Sequence, residues 1–564
     1  MVARGPASPP ERSGGNRTRL SRTSAKAGLF TESVIRETFR LAAQHGAINL
    51  GQGYPDFPCP QEIKDAACAA ILADDNQYPM TFGTPALRAA IAEKTARTYP
   101  GWTIDPDTEL CVTCGATEAL VAVAFALLDP GDEVVLFEPW YENYQPDAIL
   151  AGAVPRTVRM RAPDWTFDEA ELRAAFGPRT KAVFLCHPNN PTGKVYSAEE
   201  LALVGELCQR WDAVLVVDSI YEHIHYLGPG GYQPPALVPG LEDRTITVNA
   251  LSKTYAVTGW RVGWTVAPPD LTAAIRKVHD FLTIAAPAPM QAGGVAALGL
   301  PDGYYADLAA RYLERRDLLC SALEDIGFDL RRPDGSYYVL CDMAPLDPEG
   351  DGVAFARRLI TEVGVSCVPA VSFWRPENVA AGRSMIRFAF PKRPETLNAA
   401  VDRLKSLKWQ FNDTIEGMDA SSVIRYICEE FDHVVAVENE GDTFFTYDPS
   451  GRPPEGAWQP FATVVTSDRH DRVSKLERPG AYRLNIGLRK ATYTGLFGAP
   501  PRERDEDWVL DTGFDYATED RLMPHPHYGS QYWVCIVNPS EAGFEEVRPL
   551  LAEAYAFAVR KAER

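Results

Sequence analysis

Ser252-Lys253-Thr254-Tyr255-Ala256-Val257-Thr258-Gly259-Trp260-Arg261-Val262-Gly263-Trp264 sets one lysine between an apolar run and a glycine-interrupted turn, with an arginine eight residues on. The run before it, Thr245 to Asn249, reads as a β-strand. A lysine in that position suits a site where an amine forms an imine, and the arginine suits a cation that holds a phosphate. Alone the cluster is suggestive; its surroundings make it specific.

From about residue 105 to 300, short β-branched runs alternate with helical patterns, the mark of βαβ units around a mostly parallel sheet. The other expected strands are Glu109 to Thr113, Glu133 to Phe137, Ala182 to Cys186 and Val214 to Val217. Ligands of open α/β sheets bind beyond the strand ends, and unusual clusters stand there. Cys114-Gly115-Ala116-Thr117-Glu118-Ala119-Leu120 leaves a strand and opens a helix, whose first N–H groups favour a phosphate. Pro188-Asn189-Asn190-Pro191-Thr192-Gly193-Lys194 puts an amide in a turn, and Val216-Val217-Asp218-Ser219-Ile220-Tyr221 ends a strand with a carboxylate and then a phenol. Ser384-Met385-Ile386-Arg387-Phe388 sets an arginine in a later strand.

In this order and at these separations the blocks resemble the class I/II aminotransferases of pyridoxal-phosphate (PLP) fold type I. Leu50-Gly51-Gln52-Gly53-Tyr54-Pro55-Asp56-Phe57 and Asn76-Gln77-Tyr78 resemble the branch that holds aspartate-type, kynurenine and glutamine-phenylpyruvate transaminases. The resemblance spans roughly residues 28 to 410. It implies an α/β fold with helices on both faces of the central sheet, a small α+β lobe, PLP as cofactor and a homodimer. Lys253 would form the internal aldimine and shuttle the substrate proton through a quinonoid intermediate. Asp218 would pair with the pyridine nitrogen, Asn190 and Tyr221 would hold the ring oxygen, and Tyr141 would stack on the ring. The phosphate would meet Ala116, Thr117, Ser252 and Arg261, with Tyr78 reaching it from a second subunit. Arg387 would clamp the substrate carboxylate, helped by Asn190 and the backbone around Gly53 and Tyr54. Two positions depart from the family pattern: Ser219 often is Glu, and His187 often is Thr or Asn. Strand alternation turns Ser219 away if Asp218 faces the cofactor.

The expected organisation is a disordered basic tail at 1–27, a small lobe from 28–50 and 301–411, a large PLP-binding domain at 51–300, and a separate α+β domain at 419–564, with a linker near Asn412 to Asp419. The chain has 564 residues, 46% of them hydrophobic, which is ample for such cores. A net charge of -20 works against nucleic acid and anionic membranes as partners, and no apolar run approaches the roughly 18 residues of a membrane span. Eleven cysteines without a spacing pattern point to reduced thiols in the cytoplasm, and the Cys111/Cys114 pair reads as core packing.

In the C-terminal part, Tyr482-Arg483-Leu484-Asn485-Ile486-Gly487, Leu522-Met523-Pro524-His525-Pro526-His527-Tyr528 and Trp533-Val534-Cys535-Ile536-Val537-Asn538-Pro539 resemble a small bacterial domain family of unknown function. Of the chain's nine histidines, His433, His470, His525 and His527 lie here, but no carboxylate or cysteine has convincing spacing for a metal. A structural or interaction role is expected instead.

The first functional reading is transfer of an amino group from an amino acid to a 2-oxo acid. The second is β- or γ-elimination and replacement, or carbon–carbon bond formation, in secondary metabolism, for instance with S-adenosylmethionine as donor. It is motivated by the appended domain and Ser219. A PLP-sensing regulator is a third class, disfavoured because no N-terminal winged helix precedes the PLP-binding region.

Overall fold

The computed structural model describes residues 24–405 apart from 25, 30–33 and 348–349, residue 407, and residues 419–563 apart from 440, 451–458, 470–471, 479, 501–502 and 506–507. Nearly all of the expected basic tail, the expected linker and His470 lie outside the described residues. Two compact units divide the chain at residues 405 and 406.

In the first unit the β-branched runs form one eight-stranded sheet. Its order is Leu110–Thr113, Gly263–Val266, Thr245–Ala250, Val214–Asp218, Thr180–Cys186, Glu133–Glu138, Val154–Arg161 and Thr166–Phe167. The five strands from Thr245–Ala250 to Val154–Arg161 are mutually parallel. Gly263–Val266 is inserted antiparallel between Leu110–Thr113 and Thr245–Ala250, and Thr166–Phe167 closes the far edge antiparallel. Ala182, Val183, Phe184 and Leu185 are all buried, as expected of a strand covered on both faces. One face packs on Leu201, Val204 and Leu207 of the helix Ala198–Trp211. That helix begins with a capping box between Ser197 and Glu200.

The helix Asp302–Ile326 ends at Gly327, whose φ of 115° favours glycine. It leads to an antiparallel sheet ordered Asp329–Leu330, Tyr338–Asp342, Met385–Ala389, Val368–Pro369. The early segment Ile48–Asn49 pairs in parallel with Val365–Ser366. This pairing sets Gly51 close to Arg387 on the strand Met385–Ala389 and Gly53 close to Tyr338 on the strand Tyr338–Asp342.

The second unit has a six-stranded antiparallel sheet of its own, ordered Val434–Asn439, Asp442–Tyr447, Ala462–Val465, Arg483–Gly487, Trp533–Val537, Met523–Pro524. Alternate residues Phe445, Ala462, Val464, Leu484, Ile486, Val534 and Ile536 form a core with Val423 and Ile427 of the helix Ala420–Glu430 and with Phe544, Val547 and Leu551 of the helix Glu541–Ala562. The other parity of these strands points to the opposite face.

Among the described residues no helix is long and apolar enough to cross a membrane. No group of three or more His, Cys, Asp or Glu could hold a metal ion among them. Cys111 is buried, and the Cys114 thiol donates to the Ala285 carbonyl at 3.4 Å. Of the eleven cysteines only Cys68 and Cys428 are exposed.

Candidate functional site

Strand ends and helix starts of the large sheet meet around one cavity. Ala116, Thr117, Tyr141, Asn190, Asp218, Tyr221, Ser252, Lys253 and Arg261 all line it. Asp218 is the last residue of the strand Val214–Asp218, and Lys253 lies in the short helix Leu251–Thr254 that follows the strand Thr245–Ala250. Ala116 and Thr117 open the helix Ala116–Leu127, where the first N–H groups have no partner within the helix.

Two glycines let the segments close in. Gly115 has a φ of 86°, and a Cβ built there would stand 2.3 Å from Arg261 Nη2. A Cβ on Gly263 would lie 2.6 Å from the Gly115 carbonyl carbon. The result is a cradle of helix N–H groups, the Ser252 hydroxyl and a guanidinium held by the Thr258 carbonyl at 3.0 Å. Its chemistry is that of a phosphate site.

Burial lowers the pKa of Lys253, with Tyr338 and Asp218 pulling it back. Its Nζ donates to the Gly53 carbonyl at 3.0 Å, and the Tyr337 hydroxyl donates to that same oxygen at 2.7 Å. Burial pushes the Asp218 carboxyl up to about 6, opposed by the Tyr144 hydroxyl, the Ile220 N–H and Lys253. Tyr144 donates to Asp218 Oδ2 at 2.9 Å. The Tyr221 hydroxyl donates to Tyr338 Oη at 3.4 Å. These residues fit PLP: a cradle for its phosphate, a fixed carboxylate for its ring nitrogen and an amine for its aldehyde.

Arg387, on the strand Met385–Ala389, is 1% exposed. Its Nη1 donates to Asn190 Oδ1 at 2.8 Å and its Nη2 to the Gly51 carbonyl at 3.2 Å, with the Tyr338 ring 4.1 Å from its guanidinium carbon. It does not line the cavity itself but joins it through Asn190 and Tyr338, which do. Tyr54 stands apart from the cavity beside Lys392, whose Nζ is 4.1 Å from its ring centre. Tyr78 is 82% exposed and also stands apart.

Ser219 turns away from the cavity, and its Oγ accepts from the Tyr232 hydroxyl at 3.2 Å. His187 is buried and stacks on Tyr232 at 4.7 Å, and burial brings its pKa down to about 3. It is a neutral, packed histidine.

Sequence reasoning missed Tyr144, Tyr337 and Tyr338. Aromatics at a helix start or along a strand read as core, and nothing in their spacing marks them as site residues. Tyr337 and Tyr338 both pack on Tyr221, with ring centres 5.2 and 6.0 Å away.

Residues 45–404 match the family described as aminotransferase class I and II, and residues 418–564 match a family of unknown function, DUF6194. A probable N-succinyldiaminopimelate aminotransferase of Mycobacterium tuberculosis is 38% identical over 390 residues, covering 67% of this chain and 96% of the relative. The methionine aminotransferase of Escherichia coli is 35% identical over 375 residues, covering 66% and 96%. The solved structure of N-succinyldiaminopimelate aminotransferase from M. tuberculosis matches with a TM-score of 0.66 at 37% identity, covering 68% of this chain and all of that one.

Proposed function

Since this chain belongs to the aminotransferase class I and II family and is a PLP-dependent transferase, we propose that it moves the amino group of an α-amino acid onto a 2-oxo acid, with Lys253 as the group that bonds the cofactor and carries the substrate proton. One juxtaposition supports this reading most: Lys253, Asp218 and Arg261 line a single cavity with Asn190, whose side chain holds Arg387.

Bound PLP supplies an aldehyde carbon and an electron-accepting ring. The chain's own residues do the rest. Desolvation disfavours the charged form of Lys253, which suits it to act as nucleophile and then as base. Asp218, held by Tyr144 and the Ile220 N–H, would pair with the ring nitrogen and keep it protonated. Ala116, Thr117, Ser252 and Arg261 would bind the phosphate, Tyr141 would pack on the ring, and Asn190 and Tyr221 would hold the ring oxygen. Arg387 takes the substrate carboxylate in a two-pronged pair, its plane set beforehand by Asn190 and Gly51. Gly53 brings its carbonyl to the Lys253 amine, and Tyr54 follows it in the same segment.

A homodimer belongs to the proposal. Leu72, Tyr78 and Phe281 are 84%, 82% and 92% exposed, and apolar side chains as open as these suit contact with a second subunit. His279 Nε2 bonds the Thr81 carbonyl at 2.9 Å, tying the helix that carries Phe281 to the Tyr78 segment. A second subunit on this face would bring Tyr78 to its partner's phosphate.

The test is to offer the holoenzyme a panel of amino acids, including methionine and S-adenosylmethionine, with a 2-oxo acid acceptor, and to follow products by mass spectrometry. One donor should release its 2-oxo acid while the acceptor gains the amino group, and Lys253→Ala should abolish both. Loss of a substrate side-chain group without amino transfer would replace this reading with elimination or replacement.

A further inference from the structure

The helix-free face of the second unit's sheet is not flat. The strand residues of opposite parity to the core, among them Thr463, Arg483, Asn485 and Trp533, line a cavity of about 790 Å³. Arg504, Trp508, His525, His527 and Tyr528 from the surrounding loops extend its wall. Nothing in the aminotransferase reading uses it.

Its chemistry is one-sided. Arg483 and Arg504 bring two guanidinium groups, and no acidic side chain lines the cavity among the described residues. Arg483 is 2% exposed, with Nη1 on Ser474 Oγ at 2.8 Å. Arg504 is exposed and spends its donors on the Trp508 and His527 carbonyls, at 2.7 and 2.8 Å. These partners, and Ser530 Oγ at 3.4 Å, are neutral, so among the described residues no ion pair offsets its charge and it can meet an anion.

Asn485 is 1% exposed, and its Nδ2 donates to Thr463 Oγ1 at 2.9 Å while Oδ1 has no partner. Turning the amide over exchanges the two ends, since a threonine hydroxyl donates as readily as it accepts. Either way one polar end of a buried amide is left unmatched in a cavity wall, a cost that a ligand would remove. His525 accepts from the N–H groups of His527 and Tyr528 through Nδ1, at 3.1 and 3.2 Å, which puts its proton on Nε2 and makes that atom a donor. Trp508, Tyr528 and Trp533 supply flat apolar walls between these polar groups.

We propose that this cavity is a binding site for a small planar organic anion, an aromatic carboxylate or phosphate, with Arg504 meeting its charge, Asn485 and His525 its polar edge, and Trp508 and Trp533 its ring. Guanidinium groups suit flat oxyanions, and aromatic walls suit the attached ring. A bare inorganic ion would leave the aromatic walls unused, and a neutral ring would leave the Arg504 guanidinium unused.

The test is calorimetric titration of the full-length holoenzyme with benzoate, phenyl phosphate and the neutral benzyl alcohol, in the wild type and in Arg504→Ala and Trp508→Ala. Both substituted side chains are exposed, so folding is not at risk. One acid should give a saturable event, one per chain, that either substitution weakens about tenfold or more, as expected for loss of a charge-assisted contact or a stacked ring. Which acid binds identifies the headgroup. Amino-transfer activity should be the same in all three proteins, and any binding of the acids at the aminotransferase site of the first unit should be shared by all three. The proposal is overturned if every binding event survives both substitutions unchanged, if neither acid binds, or if benzyl alcohol binds as tightly as the acids.

Discussion

Arg387 illustrates how much one side chain depends on its surroundings. It sits in a strand, yet its two nitrogens are aimed by an amide from a turn and a carbonyl from near the N-terminus. Arg387→Ala should raise KM for the amino donor by a factor of roughly thirty or more, the equivalent of about 2 kcal/mol for a charge-assisted pair. Cofactor content, read by absorbance after gel filtration, should be unchanged. Asp147 is a different case: 3% exposed, with Oδ2 unpartnered, and pushed up by burial to about 8 from 3.8. The folded chain holds this proton more tightly than the unfolded one. Its contribution to stability is therefore whole below about pH 4 and is lost as pH rises toward 8. Asp147→Asn should raise the melting temperature at pH 7.5, by an amount on the order of a few kcal/mol in stability. At pH 4 the two proteins should melt together, and a constant offset across this range would exclude the carboxyl as its source. Lys253, Asp218, Asn190 and Arg261 were readable in the sequence because each stands in a turn punctuated by Gly or Pro or at a strand end, where chemistry-bearing residues are conspicuous. Tyr144 was not, since its role is a single hydroxyl bond to Asp218 and its ring packs like any core aromatic.

At the level of elements, continuous β-branched runs such as Val214–Asp218 announce themselves because both faces are buried. Val154–Arg161 escapes the same reading: its charged and polar residues alternate along a strand near the sheet edge, where one side meets solvent. Gly263–Val266 is hidden differently, inside the cofactor cluster, where its glycine looks like part of a turn. That glycine and Gly115 are what allow the antiparallel insertion to press against the start of the helix Ala116–Leu127. Gly115→Ala adds a methyl at a φ of 86° and in the space of Arg261. It should strip the enzyme of PLP during dialysis under conditions in which the wild type keeps it. Added PLP should restore part of the activity, and full retention of the cofactor would show that this cradle does not hold the phosphate.

The whole molecule joins two units with separate sheets and separate cores. A chain of residues 1–405 should fold, bind PLP and sediment as a dimer, and one of residues 419–564 should melt cooperatively on its own. Aggregation of either half, or a single shared transition in the full chain by calorimetry, would mean that the cores depend on each other. The apolar Leu72, Tyr78 and Phe281 face belongs to the first half, so the dimer should survive removal of the second. The thiols offer a way to watch both halves together. Cys68 and Cys428 are the exposed ones, and one lies on a helix of each unit. Under native conditions a maleimide should react first at these two positions, which makes the natural chain a ready template for a donor and acceptor dye pair. The transfer efficiency between them would report whether the halves keep a fixed distance or shift when the amino donor or the aromatic acid is added.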